Sequence, residues 1–295
     1  MILVYRLLIN LVLIFSPLII LIRLIKKKEH PIRFKEKFTF FSKKRKKGNL
    51  IWFHGASVGE LMSAIPLIEK LEKKKNIRQI LVTTSTLSSA KIFNKFKFKK
   101  TIHQFFPVDT NYLSKKFLTY WRPNLAIFID SEIWPNMLKN LKKKSIFHIL
   151  LNARVTKRSF KRWKVLGEFS KNLFQSFDYT YPQNEETRNY LNFFNVKKIK
   201  RLGNLKFSEN TTDSKRFINF DLKKFLYNKK YWCAASTHEG EEFIVAKVHQ
   251  KLQGKFNNLI TIIIPRNIQR AQKITNMFAQ LGIKTHLHSI NKKIQ

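Results

Sequence analysis

The apolar positions of the chain follow three patterns. Residues 2–22 (ILVYRLLINLVLIFSPLIILI) are almost wholly apolar, and at 1.5 Å per residue such a helix is about 30 Å long, one hydrocarbon thickness. Arg6, Asn10, Ser16 and Pro17 interrupt the run, so a spanning helix and one lying in the membrane interface are both open, and Pro17 predicts a kink. From Asn49 onward, short runs rich in Ile, Val and Phe alternate with amphipathic stretches, as in parallel βαβ units. Strands are predicted near 49–56, 77–84, 103–107, 125–130, 145–152, 178–182 and 198–202, with helices at 58–75, 87–98, 111–120, 134–143, 158–176 and 185–194. After a polar stretch at 208–218 the alternation resumes, with strands at 231–235, 259–264 and 284–288 and helices at 239–252 and 268–281. The expected organisation is an anchor over 1–25, a basic segment over 26–48, an α/β domain over 49–207, a linker over 208–227 and a second α/β unit over 228–295.

Composition narrows the class. At 295 residues, 44% hydrophobic and 14% aromatic, with 8 Gly and 8 Pro, the chain can bury a core and is not a disordered one. The lone Cys233 excludes a disulfide scaffold, and the eight His residues have no zinc-type spacing, so no metal site is expected. The net charge of +40 is spread along the chain: residues 1–48 hold thirteen Lys and Arg against Glu29 and Glu36, with no isolated basic arm. Without a zinc finger or an RNP-type aromatic strand, nucleic acid is not expected as a partner, and an anionic membrane, lipid or sugar fits better. Twelve of those cations fall within 23–47, which by the positive-inside rule leaves the rest of the chain cytoplasmic. A basic n-region and a small-x-small site are both missing, which argues against cleavage.

Ligands of parallel sheets bind at the carboxyl ends of the strands, so the residues just after each apolar run are the candidates. The first run ends in HGASVGE, His54 to Glu60. Ser57 and Glu60 have the spacing of a capping box, in which the glutamate bonds back to the backbone of the cap. A carboxylate at the mouth of the sheet could equally act as a general base, with Gly55 and Gly59 admitting a substrate close to the backbone. DSEIWPN sets Asp130 and Glu132 two apart before a Trp-Pro turn, a weak metal signal that fits positioning or helix N-terminal charge better. Arg154 and Lys206 each follow a strand, where together they could clamp carboxylate or phosphate groups. In AASTHEGEE, Ser236 to Glu239 again has capping-box spacing, and the helix start could hold a phosphate while Glu239, Glu241 and Glu242 face ribose hydroxyls and cations. Arg266 and Arg270 in PRNIQR suit an anionic donor.

In this order HGASVGE, DSEIWPN, LLNARVTKRS, RLGNLKF, AASTHEGEE and PRNIQR resemble the Kdo transferases, the 3-deoxy-D-manno-octulosonic acid transferases of lipopolysaccharide assembly, over about residues 1–272. The resemblance implies a glycosyltransferase-B architecture of two Rossmann-like α/β domains facing a cleft, behind an N-terminal membrane-anchor helix. It implies an inverting, metal-independent transfer of Kdo from CMP-Kdo, the donor substrate, to the lipid A precursor (lipid IVA) at the cytoplasmic face of the bacterial inner membrane, with no further cofactor. Glu60 takes the family's general-base position. His54, Ser57, Gly59, Asp130, Glu132 and Arg154 fall on the acceptor or positioning side, and Lys206, Ser236, Thr237, Glu239, Glu241, Glu242, Arg266 and Arg270 on the donor side. The chain departs from the family pattern at Asp130, where a Glu is usual, and at Asn267, where a His is usual. It stops before the family's G-G-x-N-x-x-E segment, so the second domain is expected to be incomplete. The alternative is a shortened, noncatalytic membrane-bound lipid-binding module.

Overall fold

Period-two alternation of side chains builds the first sheet. The structure, a computed structural model, describes residues 1–205 and 220–288. Strands β1 (Leu50–His54), β2 (Gln79–Thr84), β3 (Thr101–Phe105), β4 (Leu125–Ile129), β5 (Phe147–Ala153) and β6 (Tyr179–Pro182) pair in parallel in the order β3-β2-β1-β4-β5-β6. Leu50, Trp52, Leu81, Ala126, Phe128 and Leu150 pack on one face, and Phe53, Ile80, Val82, Ile127, Ile129 and Leu151 on the other. Helices α2 (Val58–Glu72) and α3 (Leu87–Phe93) cover the second face, while α4 (Asn111–Trp121), α5 (Pro135–Lys143), α7 (Glu168–Phe174) and α8 (Glu185–Phe193) cover the first. A sheet buried on both faces explains why its strands read as nearly continuous apolar runs. The strand order reverses between β1 and β4, and this opens the crevice where such sheets bind ligands.

Most predicted elements form, with local exceptions. The helix predicted over 158–176 divides into α6 (Lys157–Val165) and α7 because Gly167, at φ 53°, takes a left-handed backbone between them. The helix predicted over 87–98 stops at Phe93, and the strand predicted at 198–202 contributes only a bridge from Ile199 to Thr180.

Helix α1 (Ile2–Ile25) runs through Pro17 without a break. The proline lacks the N–H that would reach the Leu13 carbonyl, and the Ser16 hydroxyl donates to that carbonyl instead, at 2.6 Å. Among the described residues α1 alone is long and apolar enough to cross a membrane, by length and composition. The basic segment after it is seated by its two acids. Buried Glu29 pairs with Arg23 at 3.0 Å and with Lys37; burial raises its carboxyl, but those cations bring it below the ordinary carboxylate range. Buried Glu36 accepts both arms of Arg33, at 2.8 and 3.1 Å, and the Phe105 backbone N–H at 2.8 Å, which fixes the segment to the end of β3.

Asp109, in the loop after β3, is the other polar keystone. Helix α5 has no capping side chain of its own, and Asp109 accepts the N–H groups of Asn136 at 3.0 Å and Met137 at 2.8 Å, capping it from a distance. Ser114 donates to the same carboxylate at 3.1 Å and Tyr5 of α1 at 2.8 Å. Burial pushes the Asp109 carboxyl up to about 6 against the pull of these donors.

The first compact unit is Met1–Asn210 and the second Thr211–Gln295. In the second, α9 (Phe220–Leu226) leads to β7 (Lys230–Thr237), α10 (Glu241–Gln253), β8 (Leu259–Pro265) and α11 (Ala271–Gln280), with β7 and β8 in parallel. The strand predicted at 284–288 does not form. A two-stranded sheet covers little apolar surface, and Tyr231, Ile264 and Ile268 are more than half exposed.

Asp109→Ala removes two backbone caps and two side-chain partners from one buried carboxylate. It is expected to destabilise the first unit by about 3 kcal/mol, measured by urea unfolding.

Candidate active site

Strand β1 delivers His54 to the reversal point, and the chain then turns through Gly55 into α2. A β-carbon on Gly55 would lie 3.0 Å from the Glu60 β-carbon, so glycine is what lets the first helical turn fold back on the strand end. Gly59 is exposed and a β-carbon there would meet nothing within 4 Å; packing does not account for it. The capping box is present: Ser57 Oγ accepts the Glu60 N–H at 3.3 Å, and Glu60 Oε2 accepts the Ser57 N–H at 3.1 Å. That occupies one carboxylate oxygen. The other, Oε1, has no hydrogen-bond partner among the described residues.

Strand β4 brings Asp130 and Glu132 to the same crevice. His54 is fully buried and stacked on Phe106 with ring centroids 3.8 Å apart. Its Nε2 faces Glu132 Oε2 at 2.9 Å, and its Nδ1 lies 3.0 Å from the Thr83 hydroxyl oxygen. Trp134 Nε1 donates to the same Glu132 oxygen at 2.7 Å. Burial raises the Glu132 carboxyl, but the His54 and Trp134 contacts outweigh it and hold the group below the usual carboxylate range. The consequence falls on Glu60. Its carboxyl is pushed up by burial first, then by the negative charges of Glu132 and Asp130, against the bonds from Ser57.

The strand ends around this pair carry backbone strain. Asp130 and Asn152 hold left-handed conformations at φ 64° and 55°, which Asp and Asn tolerate better than other non-glycine residues. The Asp130 N–H donates to Leu151, the Arg154 N–H donates to the Asp130 carbonyl, and the Ser131 hydroxyl contacts Asp130 Oδ1 and the Arg154 carbonyl. Arg154 thus reaches the crevice by its backbone, with its side chain in solvent. Lys206 lies outside the described residues.

In the second unit the candidates interlock. Helix α10 starts at Glu241 behind Gly240, so Ser236 to Glu239 is not a capping box; Ser236 sits at φ 60° at the end of β7. Buried Glu242 accepts both arms of Arg270, at 3.0 and 2.9 Å, and the Thr237 hydroxyl at 2.8 Å. Burial raises the Glu242 carboxyl, but these partners bring it below the usual range. Arg270 is therefore engaged within the protein, and of the predicted arginine pair Arg266 is the exposed one, its N–H tied to the Thr237 carbonyl at 3.0 Å. Glu239 pairs with Lys273 at the surface, and Glu241 accepts the His238 N–H at 2.7 Å.

Three residues at the first crevice escape a reading by motif alone: Thr83 and Trp134, which position His54 and Glu132, and Asp109. Asp109 follows the β3 run in FFPVDT, so the strand-end rule that marked His54 and Asp130 could have marked it too. Among the described residues no group of three or more metal-type ligands is gathered. What the crevice offers is a raised carboxylate with one open oxygen, able to accept a proton from a ligand hydroxyl.

Residues 32–209 match the family model described as 3-Deoxy-D-manno-octulosonic-acid transferase (kdotransferase). The chain is 34% identical over 263 residues to the 3-deoxy-D-manno-octulosonic acid transferase of Rickettsia bellii, covering 89% of this chain and 63% of that one. It is 28% identical over 230 residues to the enzyme of the same name from Haemophilus influenzae, covering 77% and 54%. The chain therefore spans about half to two thirds of the length of these relatives. In fold it resembles a glycosyltransferase from Rickettsia africae, with a TM-score of 0.52 at 9% identity over 85% of this chain and 68% of that one. It also resembles the UDP-GlcNAc 2-epimerase of Neisseria meningitidis, with a TM-score of 0.54 at 11% identity over 78% and 69%.

His54→Ala strips Glu132 of a buried partner and opens a cavity beside Phe106. A loss of about 2–4 kcal/mol is expected, read from the midpoint of chemical denaturation.

Proposed function

The chain belongs to the 3-deoxy-D-manno-octulosonic acid transferase family, and from that premise we propose that it transfers Kdo from CMP-Kdo to the lipid A precursor, with Glu60 as general base. The observation that carries this reading is the open Oε1 of Glu60 in a carboxyl raised by burial and by Glu132. A raised carboxylate is the stronger proton acceptor while it stays ionised at neutral pH.

In the proposed reaction the acceptor hydroxyl gives its proton to Glu60 Oε1 as its oxygen attacks the anomeric carbon of Kdo. The bond from that carbon to the CMP phosphate breaks, CMP leaves with the bonding pair, and the configuration inverts. Glu132, His54 and Trp134 act through Glu60 as positioning residues. Ser57 holds the carboxylate in one rotamer through its backbone, and the exposed Gly59 leaves room for the acceptor at the helix start. On the donor side, Ser236, Thr237, Arg266 and Lys206 are assigned to the anionic nucleotide and the Kdo carboxylate, with Glu239 and Glu241 toward hydroxyls. Arg270 keeps Glu242 and Thr237 in place. Cationic side chains carry the charge neutralisation in this scheme, and no metal or further cofactor enters it.

Helix α1 and the basic segment behind it are assigned to the cytoplasmic face of the inner membrane, where both the acceptor and anionic lipids lie. A noncatalytic lipid-binding module has no observation of its own in support, since lipid binding does not call for a buried His54–Glu132 pair beside a raised carboxylate.

Glu60→Gln separates catalysis from capping, because glutamine also closes a capping box. The variant is expected to keep its stability within about 1 kcal/mol while transfer of labelled Kdo by membranes carrying the protein falls by about 10²–10⁴-fold. Undiminished transfer would remove Glu60 as the base.

A further inference from the structure

Helix α1 is covered along one stripe for its whole length. Tyr5, Ile9, Leu13, Ser16, Ile20 and Arg23 are buried or half-buried, at the spacing of one helical face. Both ends are bonded to the first unit. At the start, Tyr5 donates to Asp109, and Arg6 donates to Asn136 Oδ1 at 2.9 Å and to Asn111 Oδ1 at 3.2 Å. At the finish, Arg23 and Lys37 share Glu29, and the Lys37 carbonyl accepts the Val108 N–H at 2.9 Å, next to Asp109. The helix has 24 residues, about 36 Å at 1.5 Å each. A helix clamped at its start to the carboxyl edge of an α/β sheet, and tied at its finish to the same edge through Glu29 and Lys37, cannot cross a bilayer along its axis unless that edge enters the hydrocarbon too.

The opposite face is apolar and uncovered. Leu7, Leu11, Ile14, Phe15, Leu18 and Ile22 are each 44–68% exposed. Cations flank it. Lys26, Lys27 and Lys28 stand exposed at its C-terminal end. An apolar stripe with cations beside it fits the acyl layer and anionic headgroups of a single leaflet.

We propose that α1 is an interfacial anchor lying flat in one leaflet, its outer face among acyl chains, and that the Tyr5–Asp109 and Arg6–Asn136 clamp holds the carboxyl edge of the first sheet at the bilayer surface. This rests on the membrane attachment proposed above, not on the transfer reaction. The clamp reaches the candidate active site through bonds already described. Asp109 caps α5, α5 begins beside Trp134, and Trp134 holds Glu132 against His54. The anchor thereby fixes the height of Glu60 relative to the headgroups from which an acceptor lipid would present its sugar.

The test uses the 295-residue chain with Cys233→Ser and a single new cysteine, Val4→Cys, Phe15→Cys or Ile22→Cys, at exposed positions. Each is labelled with an environment-sensitive fluorophore and bound to vesicles of phosphatidylethanolamine and phosphatidylglycerol. Depth is read from quenching by lipids spin-labelled at different carbons. The expected result is one shallow depth, about 5–10 Å below the headgroup boundary, at all three positions. A graded profile, deepest at Phe15 and with Val4 reached by a membrane-impermeant quencher only from the opposite side, would overturn the flat geometry and leave membrane attachment standing. Absence of vesicle binding, or pairing of two copies through this face in solution, would remove attachment itself. None of these readings depends on Kdo transfer, so failure of the catalytic proposal shows separately.

Discussion

The charge on Glu132 is the constraint around which the crevice is organised. Burial raises the carboxyl of Glu132, which is 9% exposed, and the His54 ring at 2.9 Å and the Trp134 indole N–H at 2.7 Å outweigh it and hold the group below the usual carboxylate range. That places a negative charge beside Glu60, whose carboxyl is raised first by its own burial and further by that charge. Much of the surrounding structure holds this pair in place. Phe106 stacks on His54, Thr83 faces its other nitrogen, and Asp109 caps the helix that begins beside Trp134. The β1–β4 strand reversal brings the two chain segments together.

In the proposed reaction, capping and chemistry share one side chain at Glu60. The cap engages Oε2 and fixes the rotamer, while Oε1 has no hydrogen-bond partner among the described residues. A base held this way loses little freedom when it meets its substrate, which is the advantage of preorganisation. The second unit uses a similar economy. Arg270, which a motif reading assigns to the donor, is engaged by Glu242 and ties the segment after β8 to α10.

Elements built by a simple period were legible in the sequence, and those set by packing at a distance were not. The six strands of the first sheet and the helices between them follow from apolar runs buried on both faces and from clear start signals such as Ser57. The break at Gly167 and the lost strand at 284–288 depend on backbone handedness and on which neighbour a segment finds, neither of which periodicity encodes. The capping box at Ser57 formed, while the one read at Ser236 did not, because β7 continues through Thr237 and α10 starts only after Gly240. His54, Asp130 and Glu132 could be gathered from the strand-end rule. The support of Glu132 by Trp134, the remote cap from Asp109 and the seating of α1 by Tyr5 required the fold, since Tyr5 and Asp109 lie 104 positions apart.

The most direct measurement is the pH dependence of kcat/KM for Kdo transfer in the native protein and in Glu132→Gln. A base must be ionised, so the rate falls as pH drops through the pKa of Glu60, and that acidic limb should lie above the ordinary carboxylate range in the native protein. Removing the negative charge at position 132 makes ionisation of Glu60 easier, so the limb is expected to move to lower pH in the variant. An acidic limb that stays in place would contradict the claim that the charge on Glu132 adds to what burial does to the basicity of Glu60.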